Sequence, residues 1–365
     1  MGVLVPVGGR ELTAPSTEVT PPVEATGHLL DVRHLTQTFK VAVGRTEATL
    51  SAVSDISFTI DEGQTLGLVG ETGCGKSTTA RAILQSPRPT KGQVLFDGED
   101  LTGLRGGPLR RSRRKVQMVF QDPYSSLDPR WRVSDLVAEP LRINRIGGAA
   151  DRARRSAELL DLVGLDPSRF GERKPRQLSG GQAQRVGIAR ALALSPKLVI
   201  CDEAVSSLDV SIQAQVLNLL ERLRRELRLT YLFIAHDLAV VKHVSDRVGV
   251  MYLGTICEIG DSEEIYRRPA HPYTAALLAA IPTAEAPSGG DAASTAGREV
   301  AVAQEMPSPL NPPTGCRYRT LCPKAAERCQ EENPTLRSVG PGHDVACHFP
   351  LLLAEPDLPG RSGQS

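Results

Sequence analysis

The chain has 365 residues, with 43 basic and 42 acidic side chains and a formal net charge of +1. This balance argues against a nucleic-acid-binding surface that depends on bulk positive charge, so we predict no nucleic-acid partner. The sequence has no run of the roughly 18 apolar residues that a membrane span requires. At about 150 residues per domain, its length suggests two domains, or one large and one small domain.

The segment of residues 1–27 lacks a basic stretch followed by an apolar one, so it is not expected to be a secretory signal. Its Pro, Thr and Gly content predicts a disordered leader. Without a secretory signal, the seven cysteines are expected in a reducing cytosol, where a cysteine cluster indicates metal binding rather than disulfides.

Short apolar segments alternate with helical spacings from residue 28 onward. The predicted strands are residues 29–39, 52–60, 65–69, 116–120, 197–201 and 231–235, and two clear helices are predicted at 77–84 and 213–227. This alternation predicts an α/β fold with a parallel sheet covered by helices on both faces.

Composition also predicts where the domains divide. Residues 282–304 are rich in Ala, Ser, Gly, Thr and Pro, which is typical of a linker. The predicted organisation is therefore a leader (1–27), a main domain (28–262), a C-terminal extension (263–350) that contains the linker and a cysteine block (316–347), and a tail (351–365).

Residues 70–77 carry a phosphate-binding pattern. Their sequence, Gly-Glu-Thr-Gly-Cys-Gly-Lys-Ser, matches G-x-x-x-x-G-K-[ST] between a predicted strand and a predicted helix. The glycines let backbone N–H groups point at phosphate oxygens, Lys76 adds positive charge, and the Ser77 hydroxyl suits Mg²⁺. A Gly-rich turn without a ligand is the alternative. The predicted ATP-binding residues are Gly70, Glu71, Thr72, Gly73, Cys74, Gly75, Lys76, Ser77 and Thr78, with Cys74 as a small filler.

Two carboxylates follow the predicted strand at 197–201. Asp202 is placed to hold Mg²⁺, and Glu203 to polarise the water that attacks the γ-phosphate as a general base. Alone this pair is a weak signal, because many surface strands end in acidic residues. Its order after the phosphate loop makes the prediction stronger.

Residues 178–182, Leu-Ser-Gly-Gly-Gln, precede a predicted helix. Ser179, Gly180 and Gly181 at a helix N-terminus form a second anion site of the same physical kind. The sequence resembles the signature of ATP-binding-cassette (ABC) ATPases, and the other motifs stand in that family's order. The resemblance implies a P-loop NTPase ABC cassette with a RecA-like core, an antiparallel β subdomain, a helical subdomain at about 122–182 and a small Cys-rich C-terminal extension.

The resemblance also implies roles for single residues. Gln121 resembles the Q-loop glutamine that touches Mg²⁺ and the attacking water, Asp209 lies in a segment similar to the D-loop, and His236 resembles the switch histidine that contacts the γ-phosphate. Phe39 is similar in position to the aromatic residue that stacks on adenine. In this family one subunit's signature, here Ser179, Gly180, Gly181 and Gln182, completes the ATP site of another subunit. The implied catalytic residues are Glu203, His236 and Lys76.

Longer segments resemble one subfamily. Residues 119–129 and 201–211 are similar to dipeptide/oligopeptide importers, the second segment to their F-type ATPase subunit. His271-Pro272-Tyr273 resembles the motif of the oligopeptide-transporter C-terminal extension. Residues 85–89 depart from the family's pattern, but no catalytic role depends on them. Soluble ABC ATPases usually have two cassettes or a long coiled coil, and this sequence shows one phosphate loop and no sustained heptads.

The resemblance therefore implies an ATP-hydrolysing subunit that energises import of di- or oligopeptides from the cytoplasmic side of the cell membrane. The implied partners are two transmembrane permease subunits, a second, non-identical ABC ATPase and an extracytoplasmic peptide-binding protein. A related importer for nickel, glutathione or another small solute is the alternative, and a soluble non-transport ABC ATPase is a further one.

Four cysteines, Cys316, Cys322, Cys329 and Cys347, lie within a short block. Their spacing lacks the two C-x₂₋₄-C pairs typical of zinc sites, and Pro323 after Cys322 suits a Cys₄ iron–sulfur cluster better. The resemblance to peptide-importer ATPases implies a [4Fe–4S] cluster at these residues. Zinc, or reduced cysteines in a small core, are the alternatives.

Overall fold

The structure is a computed structural model that describes residues 27–44, 46–281 and 307–351. The predicted leader, linker and tail lie outside these ranges, apart from Gly27 and Leu351. Within the described ranges, every helix is too short or too polar to span a lipid bilayer.

The first sheet is antiparallel, with the strand order β2-β1-β4-β5. Its strands are β1 (Leu30–Val43), β2 (Thr46–Ile60), β4 (Lys91–Phe96) and β5 (Glu99–Asp100). Along β2, the residues Val53, Ile56, Phe58 and Ile60 are buried because one face of the sheet packs on the core. β1 and β2 pair as one long hairpin, which extends further than the two strands predicted from the sequence.

The second sheet has eight strands in the order β11-β12-β10-β9-β3-β8-β7-β6. Its strands are β3 (Thr65–Val69), β6 (Val116–Val119), β7 (Leu198–Asp202), β8 (Thr230–Ala235), β9 (Arg247–Tyr252), β10 (Thr255–Asp261), β11 (Arg337–Gly340) and β12 (His343–Val345). The run from β6 to β9 is parallel, as the sequence predicts, so these strands direct their carboxyl ends to one edge.

The helices connect and cover these strands. They are α1 (Lys76–Ile83), α2 (Gly106–Lys115), α3 (Val133–Ile143), α4 (Ala149–Leu162), α5 (Pro167–Phe170), α6 (Gly180–Leu192), α7 (Val210–Leu227), α8 (Leu238–Val244), α9 (Ser262–Arg267), α10 (Pro272–Ala279) and α11 (Arg328–Glu331). The helices α3, α4 and α6 pack on one another through buried residues that include Leu136, Leu159 and Val186. They lie between the strands β6 and β7 in the chain, where the sequence predicts a helical subdomain.

The strands β11 and β12 extend the central sheet from the C-terminal part of the chain. β12 pairs antiparallel with β10, so that Glu258 lies opposite Val345 and Gly260 opposite His343. The hydrogen bond from the Ala346 amide to the Cys257 carbonyl (2.7 Å) continues the pairing by one step. The C-terminal residues therefore share the sheet that carries the phosphate loop.

Candidate active site

The predicted motifs meet at the carboxyl edge of the parallel strands. β3 ends at Val69 before the phosphate loop, and β7 ends at Asp202. β8 ends at Ala235, directly before His236. Gln121 follows β6 by two residues. Loops at this edge of an open α/β sheet form the usual ligand crevice, which explains why residues far apart in sequence come together here.

Two glycines of the phosphate loop have no tolerable replacement. Gly70 has φ +154°, and a Cβ there would lie 2.1 Å from the carbonyl oxygen of Met251. Gly75 has φ +107°, and its Cβ would lie 2.3 Å from the carbonyl oxygen of Ala52. Because both obstacles are backbone atoms, they cannot rotate away as a side chain could. The glycines therefore let the loop lie directly against the neighbouring strands.

Lys76 is buried and turns back onto its own loop. Its Nζ donates to the carbonyl oxygens of Gly70 (2.7 Å) and Glu71 (3.0 Å) and lies 3.7 Å from Cys74 Sγ. Burial raises the pKa of the Glu71 carboxyl, and the nearby Lys76 charge opposes that rise. An ammonium held at the mouth of a phosphate loop supplies the fixed positive charge that a phosphate chain requires.

Ser77 and Asp202 form the oxygen pair expected of a magnesium site. The Ser77 hydroxyl donates to Asp202 Oδ1 over 2.7 Å. Burial raises the pKa of Asp202, and the hydrogen bond from Ser77 partly offsets the rise. Both side chains offer hard oxygen ligands, Ser77 from the first turn of α1 and Asp202 from the end of β7, so this residue pair fits Mg²⁺.

Glu203 lies between two other predicted site residues, Gln121 and His236. Gln121 Nε2 donates to Glu203 Oε2 (2.7 Å), and His236 Nδ1 lies 3.9 Å from the same oxygen. The Glu203 backbone has φ +48°, and its amide donates to the carbonyl of Ile234 (2.9 Å). This bond attaches the residue to β8 and directs its carboxylate toward the loop edge. Glu203, Gln121 and His236 thus form one cluster that could hold and polarise a water molecule.

A cavity of about 290 Å³ opens beside these groups. The predicted residues that line it are Phe39, Thr72, Gly73, Gly75, Lys76, Ser77, Thr78, Gln121 and Glu203. Gly70, Glu71, Cys74, Asp202 and His236 were predicted for the site but do not line this cavity, and they lie behind or beside it. Sequence reasoning missed five lining residues, namely Leu50, Ser51, Ala52, Leu253 and Pro309. No motif marks them, because chain folding alone brings them there.

The signature residues contribute nothing to this cavity. Ser179 caps α6 in a reciprocal capping box, in which its amide donates to Gln182 Oε1 (3.0 Å). Gly181 lies against α7, where a Cβ would be 2.4 Å from Ile212 Cγ2. Asp209 is the residue before α7 and also does not line the cavity. The first turn of α6, with Gly180, therefore lies outside the cavity of its own chain.

The four cysteines of the C-terminal block lie close enough to influence one another but do not form a metal site. Burial raises the pKa of Cys316 to about 11, and the other three thiols raise it slightly further. Burial also raises the pKa values of Cys322 and Cys347. Among the described residues, no group of three His, Cys, Asp or Glu side chains is arranged to hold a metal ion. The structure therefore gives no support to the predicted [4Fe–4S] cluster.

Two family models match the chain. The model described as "ABC transporter" matches residues 53–206. The model described as "Oligopeptide/dipeptide transporter, C-terminal region" matches residues 257–329. The first match contains the phosphate loop, the signature and Glu203, and the second contains His271-Pro272-Tyr273.

Curated relatives match nearly the whole chain. The "Oligopeptide transport ATP-binding protein AppF" of Bacillus subtilis (strain 168) is 47% identical over 325 residues, which are 88% of this chain and 97% of that protein. The "Putative oligopeptide transport ATP-binding protein YkfD" of the same organism is 48% identical over 323 residues, covering 88% and 95%. The "Probable peptide ABC transporter ATP-binding protein y4tS" of Sinorhizobium fredii is 47% identical, covering 88% and 89%.

Solved structures share the cassette. A dimeric post-hydrolysis state of the ATP-binding cassette MJ0796, bound to ADP and Pi, is 30% identical with a TM-score of 0.57. It covers 64% of this chain and 98% of its own length. Another similar structure is cbiO1 from Clostridium perfringens, part of the ABC transporter complex cbiONQ, at 26% identity and a TM-score of 0.57, covering 67% and 92%.

Proposed function

The chain belongs to the ATP-binding proteins of ABC peptide transporters, and from this membership we propose that it binds and hydrolyses ATP to energise the import of di- or oligopeptides. The observation that carries the proposal is the cluster at the cavity, where Glu203 contacts Gln121 beside the Ser77–Asp202 pair. A carboxylate beside an amide and a phosphate loop supplies the groups that orient water for attack on a γ-phosphate.

Each side chain has a proposed role at this site. Lys76 holds the β- and γ-phosphates, and His236 contacts the γ-phosphate from the end of β8. Glu203 is the general base for the attacking water. Phe39, on the wall of the cavity, stacks on the adenine. Ser77 and Gln121 would hold Mg²⁺, with Asp202 hydrogen-bonded to Ser77, and the bound ion would neutralise phosphate charge.

The substitution Glu203→Gln tests this assignment. It removes the base but keeps the shape of the side chain, so we expect turnover to fall by about 10²- to 10⁴-fold while ATP binding is retained. Phosphate release is measured on the chain purified with its partner subunits, and ATP affinity by equilibrium titration. The matched control is Glu62→Gln, an exposed residue of the turn before β3, which should leave both values unchanged. Near-normal hydrolysis by the Glu203→Gln variant would contradict the proposal.

The position of the signature supports a dimeric motor. Ser179 and Gly180 stand at the start of α6, outside the chain's own cavity, so the positive end of this helix suits the phosphates of an ATP bound by a second subunit. We propose a complex with two permease subunits, a second, non-identical ABC ATPase and an extracytoplasmic peptide-binding protein, with this chain peripheral on the cytoplasmic face of the membrane.

An affinity purification of the tagged chain from native membranes in mild detergent tests the proposed complex. Recovery of two permeases and a second ATPase would support it, and a co-purifying binding protein would narrow the substrate class. A soluble homodimer without a membrane partner would contradict it, while leaving the ATPase proposal in place.

The proposed function does not depend on the cysteine block. The [4Fe–4S] cluster stays a prediction with Cys316, Cys322, Cys329 and Cys347 as its ligands. What supports it is the sequence alone, which places four of the chain's seven cysteines within residues 316–347. Iron and acid-labile sulfide are measured on anaerobically purified protein. The presence of both would establish the cluster, and the absence of both would refute it.

A further inference from the structure

Tyr273 reaches the phosphate loop from the C-terminal part of the chain. It is the second residue of α10, it is 2% exposed, and its hydroxyl accepts a hydrogen bond from the Glu71 amide over 3.2 Å. The two residues are 202 positions apart in sequence. Tyr273 does not line the nucleotide cavity. Its hydroxyl contacts the backbone of the phosphate loop instead.

The bond acts on the peptide group that holds Lys76. The Glu71 N–H and the Gly70 carbonyl belong to the same planar peptide unit, and they point in opposite directions. On one side this unit donates to Tyr273 Oη, and on the other it accepts from Lys76 Nζ at 2.7 Å. Because the unit rotates as a whole, fixing its N–H also fixes the carbonyl that orients the lysine.

The tyrosine ring is itself held firmly. Its centroid lies 4.7 Å from the ring of Tyr252 and 5.3 Å from the ring of Tyr318. The Tyr273 amide donates to His271 Nδ1 (3.0 Å), and the His271 amide donates to Glu258 Oε2 (2.9 Å). Burial keeps the hydroxyl protonated, because it raises the pKa of Tyr273 well above its ordinary value. The hydroxyl is thus a neutral group at a fixed point beside the loop.

Residues near Tyr273 also connect the C-terminal block to β2 and to the wall of the cavity. Tyr318 belongs to the C-terminal block, and its neighbour Arg317 donates to the Leu253 carbonyl and to Ser54 Oγ (2.7 Å). Leu253 lines the nucleotide cavity, as does Pro309 from the same C-terminal part. The two rings that hold Tyr273 thus stand next to residues bound to the cavity wall, since Tyr252 precedes Leu253 and Tyr318 follows Arg317.

We propose that Tyr273 is a positioning residue for the phosphate loop, which fixes the Gly70–Glu71 peptide and through it the Lys76 ammonium. The inference rests on the ATP site proposed above. A loop held in its binding conformation loses less conformational freedom when phosphate binds, so its affinity is higher. Without the bond, the peptide can rotate and the lysine loses a fixed acceptor.

The variant Tyr273→Phe tests the inference because it removes the hydroxyl and keeps the ring. We expect the dissociation constant for ATP to rise about fivefold, the scale of one hydrogen bond, and KM to rise likewise. Turnover at saturating ATP should change less than twofold, and the melting temperature of the ATP-free protein should stay near the wild-type value. The matched control is Tyr252→Phe, since the buried Tyr252 hydroxyl has no hydrogen-bond partner in the described part of the chain.

The outcomes separate the two proposals. If wild-type protein binds ATP and Tyr273→Phe binds it equally well or more tightly, the positioning role is overturned and the ATPase proposal stands. If wild-type protein binds no ATP, the ATPase proposal fails and this inference fails with it. Should the variant not fold, hydrogen exchange of the Glu71 amide in ATP-free wild-type protein decides, because exchange at the rate of an exposed amide would overturn the inference.

Discussion

Glu258 offers a quantitative test of how the C-terminal part is attached to the cassette. Its carboxyl group, on β10, is completely buried and accepts hydrogen bonds from the amides of Ala270 (2.7 Å) and His271 (2.9 Å). Its Oε1 also lies 2.7 Å from His343 Nε2 on β12. The substitution Glu258→Ala would leave three buried nitrogens without an acceptor.

The expected cost follows from these contacts. A buried polar group that loses its partner costs about 1 to 3 kcal/mol, and here three such groups would lose the same carboxylate. Since part of the structure can relax, we expect Glu258→Ala to lower the free energy of unfolding by about 3 to 5 kcal/mol. Glu258→Gln keeps one acceptor oxygen, and its loss should be smaller.

The assay is equilibrium unfolding in urea, followed by circular dichroism, on wild type and both variants. Glu263→Ala is the control, because this side chain is exposed on the neighbouring helix α9 and should change stability by less than about 0.5 kcal/mol. A loss of less than about 1 kcal/mol for Glu258→Ala would refute the reasoning, since it would mean that water or a rearranged side chain replaces the carboxylate.

Two further predictions concern the nucleotide and the pH. Phe39→Ala should weaken ATP binding about tenfold in an equilibrium titration, because base–aromatic stacking is lost, whereas Phe39→Tyr should bind ATP normally. Equal affinities of wild type and Phe39→Ala for ATP would contradict the stacking role. Burial lowers the pKa of His271 to about 4. Between about pH 6.5 and pH 4 the imidazole of His271 is therefore neutral in the folded protein but binds a proton in the unfolded chain. The free energy of unfolding, measured in urea, should therefore fall as the pH is lowered from about 6.5 to 4. The fall should be smaller in the His271→Asn variant.

The motifs at the strand ends could be predicted from sequence because each is a local signal. The phosphate loop has a fixed spacing and the correct strand and helix on either side, and Asp202 and Glu203 end a run of apolar residues. The structure brings Gln121 to Glu203 and Ser77 to Asp202, at the edge where parallel strands place them. For these residues, the hydrophobic periodicity and the order of the motifs are sufficient to predict which side chains meet at the site.

Contacts between distant segments could not be predicted. Pro309 and Ser51 line the same cavity, but neither belongs to a motif, and nothing in their local sequence indicates a partner. The pairing of β10 with β12 depends on matching strands about 87 positions apart, where Glu258 lies opposite Val345. The motif around Tyr273 was recognised, but its contact with Glu71 appears only in three dimensions.

The hairpin of β11 and β12 also determines what the central sheet presents to its surroundings. β12 occupies the outer side of β10, whose backbone N–H and C=O groups would otherwise be open to another chain. β11, the new outermost strand, is only four residues long, starts at Arg337 and is largely exposed, features that discourage strand-to-strand association. Without this hairpin the sheet would end at β10, a longer and mostly buried strand, so the C-terminal residues protect that edge from pairing with another chain.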